Sequence, residues 1–296
     1  MRIAACLAAC AIAWLPASRA AGAPAPAATG GVPVSSAGPP GTAAATEPGH
    51  YASVHGLKMY YEVHGKGPAL LVLHGGMCSI PVWPEAIEFF SREYQVIAPE
   101  QMGHGRTADD PSRPMDYHAM AEDTVELLRQ LKIGRTYVLG HSDGGIIGLD
   151  LAINHPDLVI RLAAAGANFS PPPPPKPGSR EIKADDIPRF IREPYERLSP
   201  DGAAHWPILF ARVNQMWKTQ PNFSSAQLGG IVSPTLVIAG DHDFVSPEYT
   251  VEMWRAIPGA QLWIAANSTH GLPKLRAALF NMTVDSFFKE AAPRHP

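Results

Sequence analysis

Hydrophobic and polar positions change rhythm several times along this chain. Residues 57–63 (LKMYYEV) have β-forming composition and run into a His64-Gly65-Lys66-Gly67-Pro68 turn. Residues 69–73 (ALLVL) are apolar throughout, the pattern of a short strand buried on both faces of a parallel sheet. Segments 95–99 (QVIAP), 136–139, 159–165, 235–239 (TLVIA) and 261–264 repeat the short-strand signal. Between them, helical spacing is read in 83–90, 115–131 (Met120, Val125, Leu127, Leu128, Leu131), 144–154, 247–256 and a last stretch reaching Phe288. Strands alternating with helices predict an α/β fold with a doubly wound, mostly parallel sheet.

The alternation fails once. Residues 168–230 open with prolines 171–175, carry few strand signals, and space Trp206, Phe210, Met216 and Trp217 roughly as a helix does. An inserted helical lid is expected there, its large apolar residues forming mainly a small core of its own. Residues 21–49 are almost wholly Ala, Pro, Gly, Thr and Ser, too poor in large apolar side chains to offset the entropy of ordering, and read as a disordered tether. The folded domain is expected over 50–296.

The 296 residues are 46% hydrophobic and 17% charged, with a formal net charge of −3. One sizeable core is affordable, and no basic footprint marks a nucleic-acid partner. Arg2, the apolar stretch 3–15, and small residues at Ser18 and Ala20 read as a secretory signal peptide cut after Ala20. An uncleaved anchor and a lipidated Cys10 are the competing readings. The expected location is periplasmic or secreted, with no stable membrane insertion after cleavage. Cys6 and Cys10 would leave with the leader, so Cys78 alone remains and reads as a small packing residue.

The chemistry centres on residues 137–148 (YVLGHSDGGIIG). A short apolar run, a Gly140-His141-Ser142-Asp143-Gly144 pentapeptide and a helical pattern make strand, sharp turn and helix. Such a turn exposes the Ser142 hydroxyl and aims the Asp143 N–H at the place where an oxyanion forms. A serine hydroxyl needs a base, and the base needs a group that fixes its tautomer. His270 follows the 261–264 strand, and Asp241 and Asp243 both follow the 235–239 strand, which puts all of them at the edge that carries Ser142. His141 would point away from the serine, His74 and His104 would brace loops, and His242 would be exposed. The glycines of His74-Gly75-Gly76-Met77 allow the N–H of Gly76 or Met77 to supply a second oxyanion donor. The Asp143 carboxylate is placed at a pocket mouth, either receiving a cationic group or standing as a solvated or helix-N-terminal acid. No H-E-x-x-H or C-x-x-C occurs, and no metal or cofactor is expected.

Taken together, H-G-G-M at 74–77, G-H-G-R-T at 103–107, G-H-S-D-G-G at 140–145, P-T-L-V-I-A-G-D-H-D at 234–243 and S-T-H-G at 268–271 resemble the α/β-hydrolase superfamily from about residue 51 to 289. The resemblance implies Asp243 as the acid and favours Gly76 as the first donor. S-D-G-G-I with the later Gly166-Ala167-Asn168 is similar to the biphenyl-hydrolase-like branch and to enol-lactonases. Glu100 stands where that superfamily commonly has Asp, and Thr269 precedes His270 where Gly is frequent. Dehalogenases and epoxide hydrolases of this fold use an aspartate at the elbow, so Ser142 argues against both. The implied activity is hydrolysis of a small-molecule ester or lactone. Carbon–carbon bond hydrolysis and slow-turnover ligand reception are the alternatives.

Overall fold

A computed structural model describes residues 49–171 and 182–291. The leader, Cys6, Cys10, nearly all of the tether and Pro172–Pro175 lie outside the described residues.

Eight strands form one sheet in the order β1-β2-β4-β3-β5-β6-β7-β8. They are β1 (His50–Val54), β2 (Leu57–His64), β3 (Ala69–Leu73), β4 (Gln95–Pro99), β5 (Thr136–His141), β6 (Val159–Ala165), β7 (Thr235–Gly240) and β8 (Gln261–Ala265). β1 pairs antiparallel with β2 and β2 with β4, while every pairing from β4 to β8 is parallel. Helices on the two faces are α1 (Pro84–Phe90), α2 (Tyr117–Gln130), α3 (Asp143–Asn154), α4 (Arg189–Leu198), α5 (Trp206–Thr219), α6 (Ser225–Gly229), α7 (Pro247–Ala256), α8 (Leu272–Leu275) and α9 (Ala277–Lys289). Among the described residues no helix is long and apolar enough to cross a membrane.

The apolar strands serve both faces by alternation. Leu71, Leu73, Ile97, Val138, Leu162 and Val237 join the core under α2 and α3. Their neighbours Leu70, Val72, Val96, Leu139, Ala163 and Leu236 join the core under α1 and α9. Period-two side chains with both faces covered require such uninterrupted apolar runs. Truncating Leu71, which has no exposed surface, would cost about 2–5 kcal/mol.

Helix starts follow local chemistry. Asp116 caps α2, its carboxylate accepting from the Ala119 N–H at 2.9 Å, so the helix begins two residues later than the apolar pattern from Met115 suggests. Ser246 caps α7 ahead of Pro247.

Between β6 and β7 the chain runs through α4, α5 and α6. α5 buries Trp206, Leu209, Phe210, Val213 and Met216 on one stripe. Those residues belong to the same core as α2 and α3, and not to the separate small core expected from the sequence. The insertion is also tied down by polar contacts. Buried Asp109 accepts from His205 Nε2 at 2.9 Å and from Arg212, and Gln220 Oε1 accepts from the Tyr117 N–H at 3.2 Å.

Candidate active site

Ser142 sits between β5 and α3 with φ 54° and ψ −121°, in the left-handed region that non-glycine residues avoid. Holding it there costs on the order of 1–3 kcal/mol. The surroundings enforce it: its N–H donates to the Ala165 carbonyl at 2.8 Å. A side chain at Gly140 would strike the Gly144 carbonyl, and one at Gly144 would strike the Leu73 carbonyl at the end of β3. Serine at the start of a helix ordinarily caps it. Ser142 does not, and among the described residues its hydroxyl takes part in no hydrogen bond.

The ends of β7 and β8 bring the other expected residues together. His270 Nδ1 lies 2.9 Å from Asp243 Oδ1, with both side chains buried. Asp243 also accepts from the Val245 N–H at 3.0 Å. Asp241 has a different task, its carboxylate accepting from the N–H groups of Asn267 and Ser268 at 2.9 and 2.8 Å and so shaping the loop before His270. His242 is exposed. The ring of Phe244 meets the His270 ring with centroids 4.0 Å apart.

The other histidines brace. His74 Nε2 accepts from the Gln101 N–H, which puts its proton on Nδ1, facing the Gly75 carbonyl at 2.8 Å. His141 donates to the His270 carbonyl at 2.9 Å, and the two rings lie 4.6 Å apart. Burial pushes both His74 and His141 down to about 3 and also lowers His104, so all three are neutral rings.

Two expectations need correction. The Met77 N–H donates to His104 Nε2 at 3.0 Å, so Met77 is not available as an oxyanion donor. His104 is fixed to accept there by donating through Nδ1 to the Met102 carbonyl. The N–H groups of Gly76 and Asp143 have no acceptor among the described residues, Asp143 because it opens α3 and has no intrahelical partner. The second correction concerns the Asp143 carboxylate, which stands in the first turn of α3, as the helix-N-terminal reading has it, but is neither solvated nor at an open mouth. It is buried and accepts from Tyr117 Oη at 2.9 Å and Trp217 Nε1 at 3.0 Å. Burial pushes it up to about 6, against the two donors, which hold it down. Tyr117 and Trp217 escape sequence reading because they lie 26 and 74 residues away and belong to no motif.

Glu100, where the resemblance leads one to expect Asp, is fully buried and accepts from the N–H and guanidinium of Arg106 at 2.6 and 2.8 Å. It also takes the Ile80 N–H at 3.2 Å, tying the loop after Met77 to the end of β4. Burial raises its carboxyl above the usual range in spite of Arg106.

A largely parallel, doubly wound sheet whose strained serine turn and Asp–His pair share one carboxyl edge defines the α/β-hydrolase class of enzyme. The chain belongs to the alpha/beta hydrolase family, whose sequence profile matches residues 70–280. It is 26% identical over 260 residues to "Putative carbamate hydrolase RutD" of Agrobacterium fabrum, spanning 79% of this chain and 99% of that one. Among solved structures it is similar to the meta-cleavage product hydrolase CumD of Pseudomonas fluorescens (TM-score 0.72, 20% identity, 82% of this chain and 98% of that one). It is also similar to Est816, described as an N-acyl homoserine lactone degrading enzyme (TM-score 0.67, 25% identity, 80% and 100%).

Proposed function

We propose that this hydrolase cleaves a carboxylic ester or lactone through an acyl-enzyme formed on Ser142. The 2.9 Å contact between His270 Nδ1 and Asp243 Oδ1, on the edge that carries the strained serine, supports the reading most directly. A carboxylate that accepts a hydrogen bond from Nδ1–H keeps the proton on that nitrogen and leaves Nε2 as the basic one. Ser142 Oγ attacks the carbonyl carbon as its proton passes to Nε2. The N–H groups of Gly76 and Asp143 meet the negative charge that develops on the carbonyl oxygen. Collapse expels the alkoxide, which recovers the proton from His270, and water repeats the sequence to release the acid. The helices between β6 and β7 serve as the lid, and a Ser142 Oγ–His270 Nε2 hydrogen bond, absent in the free enzyme, forms once substrate is bound.

The carbamate in the name of the RutD relative and the lactone named for Est816 both favour an acyl-type bond as the target. Residues 1–20 act as an export leader, so that catalysis takes place outside the cytoplasm. Intact-mass analysis of the exported protein tests that part, a mature chain beginning at Ala21 being the expected result. A panel of p-nitrophenyl esters and lactones tests the chemistry. Ser142→Ala should lose on the order of 10³-fold or more in turnover. A purified Ser142→Ala protein that keeps most of its rate would remove the mechanism.

A further inference from the structure

Trp217 is half-buried at the C-terminal end of α5, packed against the main core and reaching the site with its indole N–H. Its indole N–H is shared between the two Asp143 oxygens at 3.0 and 3.1 Å, and Cζ2, beside that nitrogen on the same edge of the ring, faces Gly76. A Cβ built on Gly76 would lie 2.7 Å from Trp217 Cζ2 and would also overlap the Asp143 carboxylate. Glycine is thus required at 76 for space, because the residue that offers the oxyanion N–H is roofed by the indole and by the carboxylate that holds it.

The directions available to a bound acyl group follow from the chemistry above, on which this inference rests. The carbonyl oxygen takes the N–H groups of Gly76 and Asp143. The leaving group takes the side of His270, because it must receive that residue's proton. Asp243, Gly166, Phe244 and His141 stand around His270, whereas Trp217 stands over Gly76. The acyl chain is left with the direction past Gly76, where the indole stands. We propose that Trp217, pinned by the Asp143 carboxylate, is the end wall of the acyl site and restricts it to short acyl groups. Asp143 is the positioning residue for that wall. A hydrophobic wall discriminates by chain length, each excluded methylene being worth roughly 10-fold or more where it clashes.

The test uses p-nitrophenyl alkylphosphonates with methyl and octyl chains. Ser142 Oγ displaces p-nitrophenolate from phosphorus and its proton passes to His270, so labelling needs no turnover. Rates are read by intact mass for wild type, Trp217→Ala, Trp217→Phe and Asp143→Ala. The octyl-to-methyl rate ratio should rise about 10-fold or more in Trp217→Ala and rise less in Asp143→Ala and Trp217→Phe, each of which loses the indole–carboxylate bond but keeps a ring at 217. A rise below about threefold in Trp217→Ala would overturn the wall while leaving the nucleophile intact. Failure of every protein to be labelled at Ser142 would overturn the ester-hydrolase reading and the wall with it. If Trp217→Ala does not fold, Trp217→Leu carries the same comparison.

Discussion

His141 Nε2 donates to the main-chain oxygen of His270 at 2.9 Å, so the residue before the proposed nucleophile carries the backbone of the proposed base. Replacing His141 with Leu removes that donor from a buried site. A small misplacement of a catalytic group is expensive, and kcat should fall on the order of 10- to 100-fold. Gln at 141, which can still donate, should recover part of the loss. Equal rates for the Leu and Gln variants would show that the contact does not position His270.

Asp241 and Asp243 offer an internal comparison. Asp243→Asn leaves the geometry but withdraws the negative partner of His270, and should cost on the order of 10³–10⁴ in kcat. Asp241→Ala loosens two N–H groups of the loop and should cost about 10-fold or less, with a lowered Tm. Steady-state kinetics on one ester separates the two, and a reversed order would exchange their roles.

Gly76→Ala places a methyl group where Trp217 and Asp143 already stand. Loss of an oxyanion donor's alignment costs about 10²–10³ in kcat. The expected pattern is a large fall in kcat together with lower resistance to urea. A near-normal kcat would mean that the donor lies elsewhere.

Three buried neutral rings set the acid response. The unfolded chain binds protons on His74, His104 and His141 near pH 6.5, whereas the folded rings bind them only at lower pH, His74 and His141 at about 3. Their contribution to stability is complete above pH 6.5 and is lost as pH falls toward the folded values, by up to about 1.4 kcal/mol per pH unit for each ring. Asp143 works the other way. Its carboxyl rises from 3.8 to about 6 on folding, so its contribution is complete below 3.8 and is lost as pH rises through 6. Urea titrations at pH 4 and 7 should therefore show Asp143→Asn gaining relative to wild type at the higher pH. A difference that does not change with pH would contradict this account of Asp143.

Much of the scaffold could be read from spacing alone. Residues 69–73, 95–99, 159–165 and 247–256 coincide with β3, β4, β6 and α7, because buried parallel strands announce themselves as unbroken apolar runs and Ser246-Pro247 marks a helix start. β1 was not legible. Only Val54 of its five residues is buried, and its pairing depends on the His55-Gly56 turn, where both residues have positive φ. At the site, Ser142 and His270 follow strand ends and could be placed by topology, whereas the choice of Asp243 over Asp241 rests on the family resemblance. The partners of Asp143 could not, since Tyr117 and Trp217 meet it only through the packing of α2 and α5, which no local pattern encodes. Likewise nothing in H-G-G-M says which amide His104 will occupy.

Asp143 divides its labour between backbone and side chain, the amide left open for the proposed oxyanion and the carboxylate holding the indole. Every amino acid except proline carries the same amide, so what happens at that atom is indifferent to the identity of residue 143. A lineage can therefore exchange the side chain, or the tryptophan it tethers, and inherit a new substrate range with the acylation apparatus intact. Selectivity at this elbow is free to drift while reactivity is conserved.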